Sequence, residues 1–178
     1  MKISFVHKYF FQAVLCFAPL GAFSQQLQQE KMEQLQFMTG EWVGTSRIYE
    51  NGMLTREGAA YENIQYDLDT GILVIELNTA FLQLHTIIYY DEQDEQYYYH
   101  RFSQKGAARY PAEYRDGQFM VMKDENTRFI FGSTPDGGFR EYGEQRINGV
   151  WTKIFEDTFI NTQWRMGKLN STYKSSSG

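Results

Sequence analysis

What this 178-residue chain lacks narrows its possible roles before anything it contains does. There is one cysteine, Cys16, and it lies inside the apolar N-terminal stretch. The rest of the chain therefore has no disulfide framework, no thiol nucleophile and no cysteine-based metal cluster. Beyond that stretch histidine is reduced to His85 and His100, the only imidazoles open to base or metal chemistry. No serine stands in a Gly-x-Ser-x-Gly elbow. Basic clusters are missing too. After residue 24 there are 22 acidic residues against 15 basic ones, a net charge of −7. That balance argues against nucleic acid or an anionic membrane as partner, because phosphate binding needs a basic surface. Nor does this part contain the run of roughly 20 apolar residues that a spanning helix requires.

The one long apolar run comes first. Lys2, His7 and Lys8 give a positive start, residues 9–22 are mostly apolar, and Ala22-Phe23-Ser24 supplies small residues for cleavage. This predicts a signal peptide over residues 1–24, a mature chain starting near Gln25, and a periplasmic or extracellular location. Large Leu15 before Cys16 argues against lipidation there. About 154 residues then remain, enough for a single domain that buries roughly 68–70% of its unfolded surface. The domain is expected over residues 25–165, followed by a small polar flexible tail at 166–178.

What is abundant is aromatic: 17% of the chain, with 13 tyrosines. Tyrosine suits half-buried strands and pockets that need an apolar body with a polar tip. Turn signals recur at Asn51-Gly52, Asp69-Thr70-Gly71, 91–96, Gly106, Asp116-Gly117, Asp124-Glu125-Asn126, Pro135-Asp136-Gly137-Gly138 and Asn148-Gly149. Asn-Gly and Asp-Gly tolerate the positive φ of tight hairpins. Between them lie ten predicted strands: 41–50, 54–67, 72–80, 82–90, 96–102, 112–115, 118–123, 128–132, 139–146 and 150–159. Leu82, Leu84, Thr86, Ile88 and Tyr90 form one face of their strand, and Trp151, Lys153, Phe155, Asp157 and Phe159 another. Faces this mixed fit a barrel with a partly polar interior better than a tight sandwich. Ahead of the strands, Met32, Leu35 and Met38 recur every three residues and predict a short amphipathic helix over 27–38, lying against one barrel end. The fold class is all-β: an antiparallel barrel of about ten strands with a short N-terminal helix. An outer-membrane barrel fits poorly, because charges such as Arg101, Arg140, Glu144 and Lys153 fall on both strand faces.

The organising stretch is Gly40-Glu41-Trp42-Val43-Gly44, where the helix hands over to the first strand. Gly40 permits a sharp turn, Gly44 a bend, and Trp42 lies across one barrel end. With Phe37-Met38-Thr39 before it, this stretch resembles the opening of calycin-like barrels, which include lipocalins, fatty-acid-binding proteins and nitrobindins. It is most similar to a bacterial branch of secreted lipocalin-like domains of unknown function. Tyr90-Asp91 with Tyr97 resembles that branch's central hairpin. Asn148-Gly149-Val150-Trp151 with Phe155-Glu156-Asp157-Thr158-Phe159 resembles its closing one. The likeness spans residues 35–159 and implies a ten-stranded barrel around a cavity. Lipocalins pack a late-strand basic residue on the tryptophan; Arg146, Lys153 and Arg165 each qualify. Nitrobindins hold haem through a late histidine, and none follows His100 here.

The chemistry is correspondingly thin. The 91–96 charge run reads as a solvated turn, since calcium loops need a patterned set of oxygens with a glycine. His85 and His100 flank that turn and share a face if the register allows. Tyr97, Tyr98 and Tyr99 give both faces of one strand a phenol. Glu141, Glu144, Glu156 and Asp157 lie on strands, and one that points into an apolar cavity gains a raised pKa and an acid–base role. Candidate ligand-binding residues are Trp42, His85, His100, Arg101, Tyr142 and Trp151, with no catalytic set and no metal site. The function expected is a non-enzymatic carrier or sensor of a small apolar or amphipathic molecule, its cofactor and oligomeric state left open. The alternatives are a barrel enzyme, such as an isomerase or haem-dependent detoxifier, and an envelope module that binds proteins through exterior tyrosines. A cavity of about 300–1,000 Å³ with one or two polar groups is the mark of the first.

Overall fold

The computed structural model describes residues 20–162. Most of the expected signal peptide, with Cys16, lies outside the described residues, as do Arg165 and the expected tail. A helix, α1 (Leu20–Glu33), and a single 3-10 turn (Gln36–Met38) precede ten strands. These are β1 (Gly40–Glu50), β2 (Met53–Asp67), β3 (Ile72–Thr79), β4 (Gln83–Asp91), β5 (Gln96–Ser103), β6 (Gly106–Arg115), β7 (Gln118–Asp124), β8 (Thr127–Ser133), β9 (Phe139–Ile147) and β10 (Val150–Asn161). Each strand pairs antiparallel with the next, and β1 pairs with both β2 and β10, so the sheet closes into a barrel without edges. At three tight hairpins, Asn51-Gly52, Asp116-Gly117 and Asn148-Gly149, both central residues have positive φ, as the turn chemistry demands. No helix among the described residues is long and apolar enough to cross a membrane.

Two glycines in the opening stretch have physical reasons to be there. Gly40 sits at φ +143, where L side chains are strained. A Cβ at Gly44 would fall 1.9 Å from the Thr158 carbonyl oxygen, so its absence lets β1 press against β10 and complete the barrel.

Three expectations need correction. The helix predicted over 27–38 is instead α1, which stops at Glu33, followed by tighter turns. Leu35 N donates to Met32 O at 3.0 Å and Met38 N to Leu35 O at 3.0 Å. Such i→i+3 bonding eclipses every third side chain, which is why a spacing of three buries Met32, Leu35 and Met38 completely. β6 begins at Gly106 rather than 112, hidden by two alanines and Pro111. The β6–β7 ladder begins only at Ala112, so the missing proline N–H leaves no β7 partner wanting. On β10 the expected single face is split. Lys153 lies opposite Glu144 and Phe155 opposite Gly143, so the extra residue reverses the alternation. Trp151 and Lys153 face out, while Phe155, Asp157 and Phe159 face in.

The helix and the 3-10 turn plug one end of the barrel, and inward side chains hold them by their backbone carbonyls. Tyr66 Oη donates to Met32 O at 2.7 Å, Tyr97 Oη to Lys31 O at 2.7 Å, and Trp42 Nε1 to Met38 O at 2.8 Å. The Lys31 and Met32 carbonyls, already reached by Gln34 N and Leu35 N, thus gain a second donor at the helix C-terminus. Burial and the nearby Glu33 carboxylate push the Tyr66 phenol up to about 12. Above the plug lies an apolar layer in which Trp42 packs on Phe139 (5.4 Å between ring centroids) and Phe139 on Phe159 (6.0 Å).

Candidate functional site

Above that layer the interior turns polar. The register sets Ser46 of β1 opposite Asp157 of β10, and Asp157 opposite Glu141 of β9, so three inward polar side chains form one row across adjacent strands. All three are buried, at 2%, 3% and 4% exposure. The Ser46 hydroxyl and the Glu141 carboxyl lie within polar reach of the Asp157 carboxyl. Its Oδ1 has no partner among the described residues. Glu62 of β2, fully buried, lies near enough to feel the charge of Asp157, and neither of its oxygens has a partner. Facing them, Thr86 Oγ1 donates to Tyr99 Oη at 3.4 Å.

Removing carboxylates from water without a fixed cation disfavours their charged forms. Burial, then the charge of Asp157, holds Glu62 well above the ordinary carboxyl range. Burial, then Glu62 and Asp157, does the same for Glu141. Burial raises Asp157 against the opposing pull of its hydrogen bonds to Glu141 and Ser46. The Tyr99 phenol is also raised by burial and by Glu141. The cluster is thus a set of acids that hold their protons at pH values where surface carboxyls have lost them.

The row forms the floor of a cavity of about 130 Å³. Its walls are aromatic and aliphatic, with Tyr99, Phe129, Phe131 and Phe155 prominent, and Arg101 stands nearer the mouth. Phe81 and Leu82 reach into it from the β3–β4 turn. The exposed side chains Met53, Leu54 and Val150 sit on hairpins at the same end and give it an apolar rim. The volume falls below the expected 300–1,000 Å³ because aromatic rings fill much of the interior. It is close to the roughly 150 Å³ that accommodates benzene.

The six residues singled out from sequence are scattered. Arg101 lines the cavity. Trp42 belongs to the closed-end core, where it meets Phe139 and the Met38 carbonyl. Of the basic residues expected on its ring, Arg146 lies over Trp151 and Lys153 over Tyr49 and Tyr142, all on the outer face. His100 pairs with Ile87, so His85 and His100 do share a face, but it is the outer one. His85 is half-exposed near Glu76 (3.9 Å), and His100 stacks on Phe102 (4.5 Å). Tyr142 lines a separate outer depression with Gln118 and Arg140. Trp151 lies outside between the guanidinium groups of Arg128 and Arg146. Of the tyrosine triplet, Tyr97 and Tyr99 point in, while Tyr98 faces out beneath Arg109 (3.5 Å). Among the described residues, no three His, Asp or Glu side chains are placed to hold a metal ion.

Sequence reasoning missed Ser46 and Glu62. For Glu62 a signal existed: Ala60, Ile64 and Tyr66 share its strand face, and a lone carboxylate in an apolar face is a buried-acid warning. Compared with known proteins, the sequence matches no family model and no curated protein. The closed ten-stranded antiparallel barrel is itself consistent with a calycin-like fold.

Proposed function

We propose that this protein is an exported, lipocalin-like binder, a carrier or sensor that takes a small apolar or amphipathic molecule into its barrel. The observation that carries this reading is the cavity: open at one end, plugged at the other, mostly apolar in its walls, with carboxyls at its floor and Arg101 toward its mouth. Ligand sites are built this way, with greasy walls for affinity and a few polar groups for orientation. Native mass spectrometry of the protein purified from its own host tests it, with a co-purified small molecule as the expected result. Failure of any apolar dye to bind saturably in the barrel sinks it. Export is tested on the same sample. The intact mass should match a chain starting near Gln25, and a retained Cys16 carrying lipid refutes that.

The buried carboxyl row favours one second reading, an acid–base enzyme. Neighbouring acids with displaced pKa values are what proton-transfer chemistry uses, and Glu141 and Asp157 reach the cavity from adjacent strands. Turnover of a proton-transfer substrate that Asp157→Asn abolishes without weakening binding would favour it over the carrier.

A further inference from the structure

The cavity's polar groups are not evenly spread. Its deep end is acidic, with Asp157 and Glu141 in the floor and Glu62 behind them, while Arg101 stands toward the mouth and is only partly buried. Among the described residues Asp157 Oδ1 is an acceptor with no donor, on a residue 3% exposed that lines the cavity. A buried carboxylate oxygen in that position is incomplete until something donates to it. Around it stand the aromatic side chains of Tyr99, Phe129, Phe131 and Phe155, a residue type whose ring face attracts a desolvated cation. We infer that the deep end of the cavity is the seat of a small organic cation, a primary ammonium on a compact apolar or aromatic body, with Asp157 as its main acceptor and Glu141 and Ser46 beside it. This deepens the cavity-binding reading and rests on it.

Each part of such a ligand has a counterpart. The ammonium brings donors to a floor that offers acceptors. A benzene-sized body fills the volume, and any longer tail leaves past Leu82 toward the apolar rim. The charges balance through a proton. Burial disfavours charge on the empty cluster, and where the accepting carboxyl carries a proton, seating R–NH₃⁺ ionises it: R–NH₃⁺ + HOOC → R–NH₃⁺···⁻OOC + H⁺, the proton leaving to solvent. The groups that set this exchange are Ser46 on β1, Glu62 on β2, Tyr99 and Arg101 on β5, Glu141 on β9 and Asp157 itself, with Glu156 pressing on it from the next position. The inner residues of β3, β4 and β8 facing the cavity add no charge.

Three probes of one size separate the possibilities: benzylamine, benzyl alcohol and benzoate, titrated calorimetrically into the purified protein from pH 5.5 to 8. Benzylamine is expected to bind at least tenfold more tightly than benzyl alcohol at pH 8. Its affinity should rise by up to about tenfold per pH unit as the displaced proton becomes easier to lose. Its binding enthalpy should vary with the ionisation heat of the buffer, the mark of a released proton. Asp157→Asn, nearly the same size but uncharged, should abolish the preference for the amine over the alcohol. The pH and buffer measurements use the native sequence, so they decide the matter even if that variant does not fold. Equal, pH-independent binding of amine and alcohol overturns the cation seat while leaving a neutral ligand cavity in place. Tighter binding of benzoate overturns it in favour of Arg101. If no probe and no apolar dye binds, both the seat and the carrier reading fall.

Discussion

Replacing Glu62 by glutamine should make this protein more stable at neutral and alkaline pH, although the substitution removes a native side chain from its core. Glu62 is fully buried, neither carboxyl oxygen has a partner among the described residues, and it shares the interior with Asp157 and Glu141. Its folded pKa and that of Glu141 stand well above those of the unfolded chain, and that of Asp157 is raised. The folded protein therefore holds protons that the unfolded chain gives up. Stability is greatest below the unfolded carboxyl range, near pH 4–5, and is lost as pH rises toward the folded values. Each group contributes a slope of up to roughly 1.4 kcal/mol per pH unit within its window. Between pH 5.5 and 8 the buried cluster dominates. Urea unfolding at half-unit steps should show the unsubstituted protein losing stability across that range. In Glu62→Gln the slope should fall by up to roughly 1.4 kcal/mol per unit, with the curves crossing so that the variant is ahead by pH 8. The amide keeps the shape and cannot ionise. A native protein whose stability is flat or rising from pH 5.5 to 8 refutes the argument, as does a variant that runs parallel to it.

Trp42→Ala should cost roughly 3–5 kcal/mol, because it empties a buried indole site and strands the Met38 carbonyl. An unchanged urea midpoint would make the tryptophan peripheral. Tyr66→Phe and Tyr97→Phe should each cost about 1 kcal/mol and speed amide exchange in α1, since each removes a tie to the plug; unchanged exchange would mean the plug is held otherwise. Added haemin should give no sharp Soret shift of a one-to-one complex, because His85 and His100 face away from the cavity and axial ligation needs a side chain inside it. A saturable shift lost in His85→Ala or His100→Ala would overturn that.

How much of this was legible in the chain depends on how local the signal is. The strands were legible because turns are written locally: Asn51-Gly52, Asp116-Gly117 and Asn148-Gly149 state both the chain reversal and the sign of φ. Alternation then oriented β4, whose Leu84, Thr86, Ile88 and Tyr90 all face inward. β6 was cut short by Pro111, whose tolerance comes from a ladder that β7 does not extend that far, a fact about a neighbour and not about the segment. The site was harder for the same reason. Glu141 and Asp157 were visible as strand carboxylates, but Glu144 and Glu156 carry the same local signature, and parity alone separates the two pairs. Parity on β10 is reversed by the bulge after Lys153, which only the pairing with β9 reveals. Above all, the row Ser46–Asp157–Glu141 joins residues that are 111 and 16 positions apart; β9 and β10 share a hairpin, but Ser46 meets Asp157 only because β10 returns to β1 and closes the barrel. A buried acid is a property of that closure. The residue type supplies a carboxyl, but its loss of water, and with it the raised pKa and the affinity it lends the cavity, is conferred by nine other strands.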